Sequence, residues 1–265
     1  MSHSLIWLPD VLAAADLKIA LVDGWETRGS RDVGNIFGVI CHNTVGPKTG
    51  NMPSLNVLVN GRVGGTHPLP GPLSQLGLGR DGTYYIISAG RCNHAGRGIW
   101  QNFSNGNSNF IGIEAENTGG ADDFPWPAVQ LDAYHRGVAA ILKHVGKGAE
   151  FCAGHKEYAL PKGRKPDPSL DMDIFRSHVA AILSGRAPAP VLIPAANTTG
   201  KRTIRRGGDY PENLIIELQT KLDITVDGDF GPKTEAAARA FQLKNGLVPD
   251  GIVGPKTWAL LDSQP

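Results

Sequence analysis

Gly154-His-Lys-Glu-Tyr-Ala-Leu-Pro-Lys-Gly-Arg-Lys-Pro-Asp-Pro-Ser-Leu-Asp171 gathers a histidine (His155), two basic residues (Arg164, Lys165) and a carboxylate (Asp167) into one Gly/Pro-rich stretch. Pro166 and Pro168 fix their own φ and bias Lys165 and Asp167 toward extended backbone. A loop of this kind holds side chains at set angles without relying on regular secondary structure. His155 and Asp167 have the chemistry of two ligands for a divalent metal, and the neighbouring Arg164 and Lys165 suit a developing negative charge. A zinc ion that does chemistry takes three protein ligands and leaves one position for water. A third ligand must therefore come from elsewhere in the chain.

Upstream, Phe37-Gly-Val-Ile-Cys-His42 reads as a buried strand that ends in a His42-Asn-Thr44 loop. His42 then sits at a strand's carboxyl end. Taken alone it reads equally as a core histidine or as a ligand; with His155 and Asp167 it completes a two-histidine, one-carboxylate set. His135, His144 and His178 fall on predicted helices and read as structural or surface groups, and His3 lies at a chain end. No His-Glu-x-x-His stretch occurs, which excludes the metalloprotease helix. Phe110-Ile-Gly-Ile-Glu-Ala-Glu116 is a third strand, with Ile111, Ile113 and Ala115 on one face and Glu114 and Glu116 on the other. Glu114 follows an apolar run, so partial desolvation would raise its pKa toward a value useful for proton transfer. The plainer reading makes both glutamates solvated strand carboxylates.

The remaining periodicity predicts helices over 9–15, 53–59, 127–145 and 171–183, the last with Ile174, Phe175, Val179 and Ile182 as its apolar stripe. Gly79-Arg-Asp-Gly82 before Thr83-Tyr-Tyr-Ile-Ile-Ser88 is a hairpin signal. Residues 184–202 are Pro-rich and aperiodic, an extended linker. Beyond it, Asp227-Gly-Asp-Phe-Gly-Pro-Lys-Thr234 recurs as Asp250-Gly-Ile-Val-Gly-Pro-Lys-Thr257. In each copy Asp-Gly turns the chain and Gly-Pro opens a helix. Helices are expected over 212–222, 233–245 (stopped by Gly246) and 256–261, with Phe230, Phe241, Leu243, Trp258, Leu260 and Leu261 as core candidates.

A chain of 265 residues with net charge +1 and 41% apolar residues supports one large domain or two unequal ones. It lacks the basic excess of a nucleic-acid binder and any apolar run long enough to span a bilayer. Three cysteines, Cys41, Cys92 and Cys152, at irregular spacing read as buried thiols and not as a disulfide framework. The N-terminus has no charged region followed by an apolar one, so the expectation is synthesis and folding in a reducing cytoplasm without a standard signal peptide.

Taken in order, His42-Asn-Thr44, Gly79-Arg-Asp-Gly82, His94-Ala-Gly96, Ile111-Gly-Ile-Glu114 and Gly154-His155 with Arg164-Lys-Pro-Asp-Pro168 resemble the zinc-dependent N-acetylmuramoyl-L-alanine amidases that share a fold with peptidoglycan-recognition proteins. The resemblance covers about residues 30–185. Residues 203–263 resemble the small three-helix peptidoglycan-binding domain, and the combination resembles a phage endolysin or a bacterial cell-wall amidase. The resemblance implies an α/β catalytic domain over 1–183, with a mixed central β-sheet flanked by helices, a linker over 184–202, and a helical wall-binding domain over 203–265. It implies Zn2+ on His42, His155 and Asp167, Glu114 as the catalytic carboxylate, Lys165 as the oxyanion stabiliser, and His94 and Arg164 along the substrate cleft. Peptidoglycan is the expected partner, with no nucleic acid and no membrane insertion, for a monomer that reaches the wall through a holin pore. The alternatives are a non-catalytic recognition protein on the same fold and a zinc peptidase acting within the stem peptide. The first 30 residues carry no assignable motif.

Overall fold

Every residue of strand β2 (Gly38–Asn43) is buried, as expected of a central strand in a sheet covered on both faces. The computed structural model describes residues 2–62, 64, 68–186, 190–191, 201–245, 247 and 251–262, less the Leu243 side chain. The chain divides into two compact units, Met1–Lys48 with Met52–Val191, and Leu192–Pro265 with Thr49–Asn51.

In the first unit, β1 (Ile19–Leu21), β2, β5 (Leu76–Leu78), β6 (Tyr84–Ile86), β7 (Phe110–Ala115) and β8 (Cys152–Gly154) form one sheet in the order β1-β6-β5-β7-β2-β8. All pairings are parallel except β5–β6, the hairpin expected from the Asp-Gly turn. There Asp81 Oδ1 accepts from Thr83 N at 3.0 Å, and Gly82 takes φ +80°, a left-handed conformation costly for other residues. The same unit holds α1 (Leu8–Ala13) before β1, then α2 (Leu55–Asn60), the two-stranded ribbon β3 (Gly61–Arg62) and β4 (Leu69–Pro70), α3 (Gly106–Asn109) and α4 (Ala128–His144) between the strands, and α5 (His155–Tyr158) and α6 (Met172–Leu183) after β8.

Strand alternation divides the sheet into two working faces. Val39, Cys41, Ile111 and Ile113 pack under Leu8 and Leu12 of α1, Tyr134, Val138, Ile141 and Leu142 of α4, and Phe175 and Val179 of α6. Ile40, Phe110 and Ala153 face the other way and pack with Ala95 and Tyr158. By the same alternation His42 and Glu114 lie on this second face. The N-terminal residues thus have a structural role: β1 extends the sheet as an edge strand on β6, and α1 joins the helical layer over α4.

Three sequence expectations change in detail. Ile174 is 58% exposed, and Met172 takes the inward position in the α6 stripe. The loop centred on Asp167 is fed by regular structure after all: β8 delivers Gly154 and α5 begins at His155. Glu116 is fully buried, not a solvated partner of Glu114.

The second unit contains α7 (Glu212–Lys221), α8 (Pro232–Lys244) and α9 (Pro255–Asp262). Ile204, Ile215, Leu218, Phe230, Ala238, Val253, Trp258 and Leu261 form its core, with Phe241 packed against it. Leu260 is only partly buried, and the Gly246 stop and the Leu243 side chain lie outside the described residues. Each repeat is closed by a buried glutamine. Gln219 Oε1 accepts from Asp227 N and Gly228 N, and its Nε2 donates to Asp229 O and Thr234 Oγ1. Gln242 repeats the pattern with Gly251 N, Ile252 O and Thr257 Oγ1. Among the described residues no helix is long and apolar enough to cross a membrane.

Candidate metal centre

Parallel register sets His42 opposite Glu114 at the carboxyl ends of β2 and β7, while Cys41 pairs with Gly154, one residue before His155. Three side chains from distant parts of the sequence therefore reach one point. His42 Nδ1 and His155 Nδ1 lie 3.0 Å apart, and each is 3.1 Å from Asp167 Oδ2. The histidines are buried, and the Asp167 side chain is 12% exposed.

The backbone around these groups is pinned. Tyr134, fully buried on α4, accepts from His42 N at 2.9 Å, and its hydroxyl lies 3.1 Å from His42 O and 3.0 Å from Ile113 O, bridging β2 and β7. The Asp167 loop is tied by Lys156 N donating to Asp167 O at 2.6 Å and Ser169 N donating to Asn43 Oδ1 at 3.0 Å. Gly154 leaves room for this loop, since a Cβ there would lie 2.9 Å from Met172 Cγ and 3.1 Å from Pro168 Cδ. Glu157 accepts from Gly154 N at 2.8 Å and is itself held by both Arg176 nitrogens at 2.8 and 2.9 Å.

The donor set suits a cation. His155 Nε2 lies 3.0 Å from the Ala95 carbonyl. A carbonyl only accepts, so Nε2 carries a proton, and the tautomer with its single proton there turns the Nδ1 lone pair toward the other two atoms. Burial, and then the neighbouring His155, push the His42 pKa down to about 4, so its ring is neutral. The third atom, Asp167 Oδ2, is a carboxylate oxygen 3.1 Å from each of the two Nδ1 nitrogens. Three electron-rich atoms thus converge where only a positive charge relieves their repulsion. A tetrahedral ion bound at about 2.0–2.1 Å would keep its ligand atoms roughly 3.3–3.4 Å apart, close to the 3.0–3.1 Å separations here. Among the described residues these three form the one His/Cys/Asp/Glu group close enough to hold a metal.

Glu114 adjoins the triangle, with Oε1 3.9 Å from His42 Nδ1. Its Oε2 is buried without a hydrogen-bond partner. Burial, reinforced by the charge of Asp167, raises its pKa to about 8. Lys165 is close enough that its charge opposes protonation of His42 and favours ionisation of Glu114. The Arg164 guanidinium is engaged by backbone instead, donating to Leu160 O, Ala95 O and Arg97 O. His94 is 7% exposed and lies beneath His42, its Nδ1 3.1 Å from His42 Nε2. Glu116 accepts from Thr44 Oγ1 at 2.8 Å and from Ser54 N and Oγ, each at 3.0 Å, holding the loop that follows β2.

Tyr134, Asn43, Glu157 and the glutamine pair were not singled out from sequence. Only the glutamines left a signal there, because Gln219 and Gln242 keep the spacing of the Asp-Gly repeat.

A two-histidine, one-carboxylate cluster beside a carboxyl of raised pKa is the constellation of a hydrolytic metal centre. Residues 32–170, more than half of the chain, match the family model described as N-acetylmuramoyl-L-alanine amidase, and the chain belongs to that family. Residues 212–261 match a putative peptidoglycan binding domain. Among curated proteins, an uncharacterized protein of Kitasatospora aureofaciens is 55% identical over 60 residues, 22% of this chain and 51% of that protein. The zinc D-Ala-D-Ala carboxypeptidase of Streptomyces albus G is 49% identical over 39 residues, 15% of each chain. The chain thus spans about half the length of the first relative and 15% of the second. Of solved structures, the amidase AmiD from E. coli is similar with a TM-score of 0.43 and 18% identity, covering 91% of this chain and 95% of that one. The amidase LysC from Clostridium intestinale gives 0.41 and 19%, covering 60% and 95%.

Proposed function

We propose that this chain is a zinc-dependent peptidoglycan amidase that hydrolyses the bond between the lactyl group of N-acetylmuramic acid and L-alanine of the stem peptide. The carrying observation is the convergence of His42, His155 and Asp167 within 3.1 Å, with Glu114 3.9 Å from the nearest ligand atom. His42, His155 and Asp167 would hold the zinc, which would supply electrophilic activation of the scissile carbonyl and of the attacking water.

The chain's own residues do the rest. Glu114, with its raised pKa and one unpartnered oxygen, takes the proton of the attacking water and returns it to the leaving amine. The Lys165 ammonium makes no hydrogen bond or ion pair among the described residues, which leaves it to stabilise the oxyanion of the tetrahedral intermediate. Arg164 is committed to three carbonyls, so its role here is to fix the 160–167 loop. Residues 203–265 act as a wall-binding module joined through 184–202, raising the enzyme's concentration at an insoluble substrate. The protein works as a monomer of endolysin type that reaches the wall through a holin pore.

Digestion of purified cell wall followed by mass spectrometry tests this reading. Stem peptides that begin with a free L-alanine amine are expected. Fragments in which muramic acid still carries L-alanine would replace it with a peptidase, and no release of soluble material would replace it with a recognition protein.

A further inference from the structure

The ligand atom that His42 offers depends on which of its nitrogens carries the proton, and the proton's position is set by the ring beneath it. His94 Nε2 lies 3.2 Å from the Phe110 carbonyl oxygen. The carbonyl can only accept, so this nitrogen donates. The His94 ring is 7% exposed and has no acidic partner within ion-pair distance among the described residues. In the neutral ring Nδ1 is then a lone pair, and it stands 3.1 Å from His42 Nε2. His42 must donate there, which leaves its own Nδ1 bare toward His155 and Asp167. The reverse arrangement would set an unprotonated His94 Nε2 against the Phe110 carbonyl, two acceptors facing each other in a buried site.

We propose that His94 is a positioning residue that locks His42 in the Nε2–H tautomer and so presents Nδ1 to the metal; the inference rests on the metal reading above. The socket is built for this ring. A Cβ on Gly112 would lie 2.6 Å from His94 Cγ and 2.7 Å from its Nδ1, so the glycine in Ile111-Gly-Ile-Glu114 admits the imidazole against β7. Asn107 Oδ1 accepts from both His94 N and Ala95 N, at 3.0 and 2.7 Å, and fixes the backbone on which the ring stands. The next residue does the same work for the second ligand, since the Ala95 carbonyl takes the His155 Nε2 proton. Residues 94–95 thereby set the tautomers of both histidine ligands. Partners of this kind typically change metal affinity by about 10–100-fold when removed.

The test uses the full chain and zinc itself. His94→Phe keeps a ring in the socket and removes both nitrogens; His94→Asn restores an acceptor at the Nδ1 position. Competition against a chelating dye should show zinc affinity lowered about 10–100-fold in His94→Phe and partly recovered in His94→Asn, with melting temperature reporting that each variant folds. Nitrogen NMR of the metal-free wild type should show His42 protonated at Nε2, with a scalar coupling to His94 Nδ1, and this measurement stands even if His94→Phe fails to fold. A wild-type His42 protonated at Nδ1 would overturn the inference, as would undiminished zinc affinity in a folded His94→Phe. A wild type with the expected tautomer that binds no zinc would instead sink the metal reading and leave the hydrogen-bond relay standing.

Discussion

Glu114 and Glu116 share one strand face two residues apart, yet their surroundings predict opposite consequences of removing them. Glu116 is fully buried and accepts from Thr44 Oγ1, Ser54 N and Ser54 Oγ. In Glu116→Ala the hydroxyls can turn to other acceptors, but the Ser54 amide is left unpaired in a buried site. Stranding such a donor costs about 1–3 kcal/mol, and losing charge-assisted bonds from two hydroxyls adds to it, for a total of roughly 3–5 kcal/mol. At roughly 2–4 °C per kcal/mol for a unit of this size, the melting temperature should fall by about 6–20 °C. Glu114→Gln should behave in the reverse way. Its Oε2 has no partner and burial disfavours its charge, so the amide should leave the melting temperature unchanged or raise it, while turnover falls ~10²–10⁴-fold. Calorimetry of both variants, with kcat normalised to folded protein, checks the pair. A Glu116→Ala protein that melts with wild type would refute the hydrogen-bond reasoning, and one that loses more turnover per folded molecule than Glu114→Gln would exchange the two roles.

Burial against Phe175, and then the neighbouring His178, lower the His135 pKa to about 4 from 6.5. The unfolded chain takes that proton first, so this stability is full above pH 6.5 and is lost as pH falls toward about 4, at a cost of about 3 kcal/mol. His135→Gln should flatten the fall in melting temperature between about pH 7 and 5; an unchanged slope would assign the acid sensitivity to other groups. In the second unit, Gln219→Ala strands the turn amides of Asp227 and Gly228, which should cost about 2–4 kcal/mol. That variant should pellet poorly with insoluble peptidoglycan yet still hydrolyse soluble muropeptides, and equal loss on both substrates would count against a targeting role for this unit.

What could be read from sequence followed how local the determining physics is. The apolar runs of β2 and β7 and the helical periods of α4 and α6 are set by nearby residues, and their positions held within a residue or two. Strand parity also put Glu114 and Glu116 on one face. It could not show that the loop carrying Thr44 and Ser54 folds over the second carboxylate, because that contact joins residues 62 positions apart. Ile174 and Met172 lie two positions apart on α6, and the choice between them depends on where β8 and the Asp167 loop lie; Met172 packs against Gly154. From sequence His94 is a histidine in a motif, but its place beneath His42 depends on the parallel register of β2 with β7 and on the space left by Gly112. The short β1 strand has only three residues, too few for an alternation to be read.

The most direct test of the metal centre is activity on soluble muropeptide as a function of added zinc, starting from chelated protein. Activity should rise linearly and saturate at one equivalent per chain, and Asp167→Ala should neither bind stoichiometric zinc nor recover activity. Full activity in verified metal-free protein, or an Asp167→Ala variant that saturates like wild type, would contradict the assignment of His42, His155 and Asp167 as the ligands.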